Sequence, residues 1–155
     1  MKRIASIIMI FSVMIVILAG CGSSTRSPEQ TVRSFLKAAE NDDMYTYYSC
    51  TEAGMYESKE QLREDFKDFS MKDFHEDMTS YFVWVSGNDY FNCDNGIKKI
   101  KIESIDCTEN SEGNYDVIAN VIITNSDGED YDLTIKTDMW KGDTDETKGM
   151  YYLNY

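Results

Sequence analysis

Two hydrophobic periods share this chain, and they occupy separate stretches of it. Up to about Met78 the apolar residues recur at three- and four-residue spacing, which places them on one face of a helix. From Thr79 onward the dominant spacing is two, as in a strand with one buried face. Only the stretch from Ser70 to Met78 leaves the choice open. A chain divided in this way is expected to fold as α+β. Two or three N-terminal helices would pack on one face of a curved, mainly antiparallel sheet of four to five strands, giving a cone-like body.

The first helix is the best defined. Ser27-Pro28-Glu29-Gln30 supplies an N-cap hydroxyl, a proline at the first helical position and a glutamine that closes a capping box. Val32, Phe35, Leu36 and Ala39 then share one face, and Asn41-Asp42-Asp43 ends the segment. Residues 44–50 read as a second, shorter helix with Met44, Tyr47 and Tyr48 on one side. Residues 52–57 read as a loop around Gly54. A third helix opens at Ser58-Lys59-Glu60-Gln61, turns Leu62, Phe66 and Phe69 inward and is expected to stop near Ser70.

The strand half begins, on this reading, with a strand at residues 81–85, followed by turn-rich residues 86–96. Ile100 and Ile102 alternate, but Ile105 and Cys107 fall on the opposite parity. That slip of one residue predicts a β-bulge near Glu103 and Ser104. Tyr115, Val117, Ala119, Val121 and Ile123 alternate cleanly. Asp127-Gly128 supplies a hairpin turn, and Tyr131, Leu133, Ile135, Thr137 and Met139 form the returning strand. A polar loop over 143–148 leads to a last strand over 149–155.

Ahead of the folded part lies a different kind of segment. Lys2 and Arg3 precede an apolar run, residues 4–18, interrupted only by Ala5, Ser6 and Ser12. This order of positive residues, apolar run and small residues is that of an export signal. The run is short for a permanent bilayer-crossing helix, which needs about 20 residues. It ends in Leu18-Ala19-Gly20-Cys21, which resembles the bacterial lipobox. Small side chains at 19 and 20 let an extended backbone enter a peptidase, and the Cys21 thiol is the nucleophile that accepts diacylglycerol. The expected organisation is therefore a lipoprotein signal peptide at 1–20, a lipidated Cys21 with a flexible spacer to residue 26, and one α+β domain at 27–155.

Charge narrows the partners. Without Lys2 and Arg3, 13 basic residues face 28 acidic ones, a net charge of −15. Such a body is repelled by nucleic-acid phosphates and by anionic headgroups, so no nucleic-acid partner is expected and the membrane is reached through the lipid on Cys21. Three further cysteines, Cys50, Cys93 and Cys107, allow at most one bridge and a spare thiol. A strand between Cys93 and Cys107 would hold its ends about 33 Å apart. A disulfide needs Cα atoms about 5.5 Å apart. Cys50 would thus belong to any bridge, and three free thiols are the equal alternative.

With these elements on the page, the opening Pro28-Glu29-Gln30-Thr31-Val32-Arg33-Ser34-Phe35-Leu36-Lys37-Ala38-Ala39, the acidic break and the aromatic 45–50 segment resemble small bacterial lipoproteins with the nuclear transport factor two-like fold. The resemblance implies a helix and a short aromatic helix ahead of a long bent sheet. Enzymes that share this fold use a carboxylate base inside the cone, but their catalytic residues match no motif here, so fold alone carries no activity over.

No catalytic set, metal site or cofactor motif is read from the chain. His75 is the only histidine, next to Phe74 and Glu76, and is expected at the surface or its boundary. Asp127, Glu129, Asp130 and Asp132 lack the spacing of a calcium loop and read as a turn, as do Asp143, Asp145 and Glu146. The eleven tyrosines are more telling, because amphipathic rings are favoured in pockets and contact faces. Tyr81, Trp84, Trp140 and Tyr152 are the candidate pocket or contact aromatics. The expected role is a membrane-tethered, extracytoplasmic binding or accessory domain with a protein or small-molecule ligand. The alternatives are an enzyme with a buried carboxylate in the cone and an acidic inhibitor of a basic partner.

Overall fold

The computed structural model describes residues 26–144 and 147–155. Leu18, Ala19, Gly20 and Cys21, with the rest of the leader and spacer through Thr25, lie outside the described residues, as do Asp145 and Glu146. Among the described residues, five helices come first: α1 Pro28–Glu40, α2 Met44–Ser49, α3 Glu52–Tyr56, α4 Lys59–Asp65 and α5 Met71–Ser86. Four strands follow: β1 Ile97–Glu109, β2 Tyr115–Asn125, β3 Asp130–Lys141 and β4 Tyr151–Leu153. They pair antiparallel in the order β1-β2-β3-β4, a curved meander with the helices packed on it. The fold class is α+β, as the separation of the two periods requires.

Local chemistry explains the boundaries. α1 starts in the predicted capping box: the Gln30 N–H donates to Ser27 Oγ at 3.2 Å, and the Ser27 N–H donates to Gln30 Oε1 at 2.9 Å. Its apolar face buries Val32, Phe35, Leu36 and Ala39. Residues 52–57, expected as a loop, instead wind into α3. Gly54 makes this possible, because a Cβ there would sit 2.4 Å from the Ser49 carbonyl oxygen. α4 starts at the expected Ser58 cap but ends at Asp65, short of Ser70, leaving Phe66 and Phe69 partly buried against the core.

The strand expected at residues 81–85 does not exist. These residues are the C-terminal part of α5, which runs from a capping box at Ser70 and Asp73 to Gly87, where φ is +66°. Phe74, Met78, Tyr81, Phe82 and Val85 are buried along one helical stripe. The aromatic and β-branched composition suits a strand, but the i, i+4, i+7, i+8, i+11 spacing with Phe74 and Met78 satisfies a helix that starts ten residues before Tyr81. The change of period thus falls at Ile97.

In the sheet, the predicted bulge is present. Ile102 pairs with Val121 and Ser104 with Asn120, so Glu103 is the extra residue and the inward side chains resume at Ile105. A second slip lies at Lys98. The Asp127-Gly128 hairpin closes with the Gly128 N–H on the Asn125 carbonyl at 3.0 Å and φ +89° at Gly128. Val117, Ala119, Val121 and Ile123 of β2 and Leu133, Ile135 and Met139 of β3 face the helices and are buried. Against them lie Phe35, Phe74, Met78 and Phe82, each at most 2% exposed, so the space between helices and sheet is filled by side chains. Each such apolar side chain contributes about 1.5–3 kcal/mol on burial. Cys50, Cys93 and Cys107 are all free thiols.

Candidate functional site

The aromatic residues that converge do so at the junction of α2, α5 and the segment after β4. On α2, Tyr47 and Tyr48 are sequence neighbours, so their side chains leave the helix about 100° apart. Their rings stand at 87° to each other with centroids 5.2 Å apart. On α5, Asp77 and Tyr81 are one turn apart and share a face. Tyr155 enters between the two helices. Its ring stacks on Tyr81 at 4.7 Å and 10°, and meets Tyr47 and Tyr48 edge-on at 5.9 and 5.7 Å. Its hydroxyl donates to Asp77 Oδ2, the oxygen that also accepts the Tyr48 hydroxyl.

The arrangement is a box with three phenol rings as walls, a carboxylate at one end and a fourth phenol inside. Its outer side is braced by Phe66, stacked on Tyr48 at 4.1 Å and 6°, and its inner side by Phe35, stacked on Tyr47 at 4.3 Å. The backbone beside the occupant is also fixed. The Asn154 carbonyl accepts from Tyr81 Oη and Thr137 Oγ1, each at 3.2 Å, and the Asn154 N–H donates to the Asp138 carbonyl at 2.9 Å.

Burial is the main reason that Tyr47, Tyr48, Tyr81 and Tyr155 resist ionisation. The carboxylate of Asp77 adds to it for Tyr48 and Tyr155. Phenols held neutral in this way act as hydrogen-bond donors, not as bases. Tyr47 is fully buried and its hydroxyl finds no hydrogen-bond partner among the described residues. Its ring meets those of Tyr155, Tyr81 and Tyr48 edge-on at centroid distances of 5.9, 6.5 and 5.2 Å, so it forms one side of the box. The other such hydroxyl, that of Tyr45, belongs to a ring with the Arg63 guanidinium 5.0 Å from its centroid.

The four aromatics selected from the sequence fall into two pairs. Tyr81 is a wall of the box, and Trp84, 6.0 Å from it, is 60% exposed at a shallow hollow of about 330 Å³ shared with Ile118 and Lys136. Trp140 and Tyr152 are register partners across β3 and β4, on the parity opposite to the inward Met139 and Leu153. Tyr152 is buried and its hydroxyl points to Met150 Sδ at 3.2 Å. Tyr47, Tyr48, Asp77 and Tyr155 lie outside those four. The pairing of Tyr47 with Tyr48 on one side of their helix is visible in the sequence, but Asp77 falls in the stretch whose period is ambiguous.

Two other features are better explained by structure. His75, expected at the surface or its boundary, is instead buried, because its Nε2 lies 2.9 Å from Asp42 Oδ1 and fastens the α1–α2 turn to α5. Around the β2–β3 turn the carboxylates make local bonds: Asn95 Nδ2 donates to Asp127 at 3.0 Å, Tyr131 Oη to Glu129 at 2.6 Å and Thr124 Oγ1 to Asp130 at 2.6 Å. Among the described residues no group of three or more His, Cys, Asp or Glu side chains is placed to hold a metal ion. An open depression of about 990 Å³ runs along α1, with Arg33 and Lys37 on its rim, but these cations already pair with Glu29 at 2.7 Å and Glu40 at 3.0 Å.

No protein-family model matches this chain, and no curated protein is significantly similar to it.

Proposed function

We propose that this chain is a lipid-anchored binding or accessory domain on the extracytoplasmic face of the cell membrane, held there by diacylglycerol on Cys21. The observation that carries the reading is the order Lys2-Arg3, apolar run, Leu18-Ala19-Gly20-Cys21, with Cys21 only six residues ahead of the Ser27 N-cap. A tether this short, at most about 3.5 Å per residue, keeps the body within some 20 Å of the bilayer surface. Its net charge of −15 keeps it from lying flat on anionic lipid. No helix among the described residues is long and apolar enough to cross a membrane. The likeness of Pro28 to Ala39 to the opening of nuclear transport factor two-like lipoproteins supports the same reading.

Binding is favoured over catalysis because the volume where a cone-type enzyme would place its carboxylate and substrate is filled by Phe35, Phe74, Met78 and Phe82. Mass spectrometry of the chain purified from membranes is expected to find Cys21 as its first residue, heavier by a glycerolipid. Cys21→Ser is expected to leave the leader uncut and the lipid absent. An unmodified, detergent-free secreted form of the natural chain overturns the proposal.

A further inference from the structure

The box of Tyr47, Tyr48, Tyr81 and Asp77 has the makings of a recognition site. Three ring faces and edges enclose one planar ring, and a carboxylate accepts a hydrogen bond from the group opposite its attachment point. We propose that this box is a ligand site for an aromatic ring bearing a hydrogen-bond donor, a phenol, and that Tyr155 is its built-in, displaceable occupant. The inference goes beyond the anchoring proposal and does not depend on the state of Cys21.

Two observations carry it besides the fit of the ring. The first is the Tyr47 hydroxyl, wholly buried on a ring that forms one side of the box and without a hydrogen bond of good geometry among the described residues while Tyr155 fills it. Native interiors seldom leave a buried hydroxyl unsatisfied, and such a group is one that a ligand or an ordered water can complete. The box therefore has polar capacity that its present occupant satisfies poorly.

The second is how differently the walls and the occupant are held. The walls belong to α2 and α5, whose other contacts are the core itself: Phe35 and Phe74 against Tyr47, and Phe82 against Tyr81. The occupant lies two residues beyond β4, a strand of three residues, and its ring is only partly buried. Its side chain is retained by ring contacts and one hydrogen bond to Asp77. Release of Tyr155 would leave the walls in place, with both Asp77 and Tyr47 free to receive a ligand.

A tethered occupant competes at an effective concentration in the millimolar range, so an external phenol must exceed that to enter the unaltered chain. The test uses the full chain in detergent, with N-acetyl-tyrosinamide as probe and N-acetyl-phenylalaninamide as the ring without the donor, measured by calorimetry. Tyr155→Ala is expected to bind the tyrosinamide at least about tenfold more tightly than the unaltered chain does. It should also prefer it to the phenylalaninamide by about tenfold, the effect of a hydrogen bond to a carboxylate. Tyr155→Phe keeps the packing but removes the occupant's hold on Asp77, and is expected to bind the tyrosinamide more tightly than the unaltered chain. If Tyr155→Ala is unfolded by circular dichroism, Tyr155→Phe decides. Failure of the folded variant to bind tyrosinamide better than the unaltered chain, or better than phenylalaninamide, overturns the proposal. Saturable binding of tetramethylammonium in place of the tyrosinamide overturns it as well, because the box would then be a cation cage.

Discussion

Asp77 joins two helices and the end of the chain through a single oxygen. Both Tyr48 and Tyr155 donate to it, so replacing Asp77 by leucine removes one acceptor and strands two phenols in a half-buried setting. The expected loss is about 1–3 kcal/mol, the range for leaving buried donors unmade. Urea unfolding measures it, and a loss below a few tenths would mean that water replaces the carboxylate freely. Gly96 makes a different residue-level demand. Its φ is +93°, and a Cβ there would stand 3.0 Å from His75 Cε1 and 3.2 Å from its Nε2. Gly96→Ala is expected to cost about 1–3 kcal/mol through backbone strain and contact together. The two causes separate in a double-mutant cycle: adding His75→Ala should recover the contact part and leave the φ part. Full additivity of the two substitutions would show that the imidazole is not the obstacle.

At the scale of elements, α5 is the piece on which the site depends, because it carries both Asp77 and Tyr81. It begins with the Asp73 N–H on Ser70 Oγ at 3.1 Å and the Ser70 N–H on Asp73 Oδ2 at 3.2 Å. Ser70→Ala is expected to lower stability by about 1 kcal/mol in thermal or urea unfolding, since it leaves N-terminal N–H groups of the helix without a partner. An unchanged midpoint would show that tertiary packing alone sets the start of α5. This helix is also where the sequence was least legible. α1 announced itself through Ser27-Pro28 and a clean apolar stripe, and the bulge at Glu103 through the parity slip between Ile102 and Ile105. The same logic misled at residues 81–85, because Tyr81, Phe82, Val83, Trp84 and Val85 have strand-prone side chains whatever their partners. Only contact with Phe35 and the sheet selects the helical face. With a strand at 81–85, Asp77 has no defined neighbour, and the convergence of Tyr48 and Tyr155 on it is not legible. Which distant tyrosines meet is decided by the path of the chain after β4, a fact of tertiary packing that no local period encodes.

For the molecule as a whole, the tyrosines predict how it comes apart in alkali. Burial raises the ionisation of Tyr47, Tyr48, Tyr81 and Tyr155 in the folded chain well above the unfolded value of about 10. Below that value the phenols are neutral in both states, and the stability they confer is complete. As pH rises above it, the unfolded chain releases these protons while the native chain keeps them, so stability falls. The slope is about 1.4 kcal/mol per pH unit for each phenol that stays protonated only in the fold. Tyr47, Tyr48 and Tyr81, at most 4% exposed, should approach that figure, and Tyr155, only partly buried, should contribute less. Set against a typical total of 5–15 kcal/mol, this loss exhausts stability within a few pH units above 10. The expected titration therefore shows the tyrosinate absorbance of these buried phenols appearing together with loss of helical ellipticity. A single smooth rise near pH 10, with the ellipticity unchanged, would mean that the box admits hydroxide and that its phenols are not sealed by the packing described.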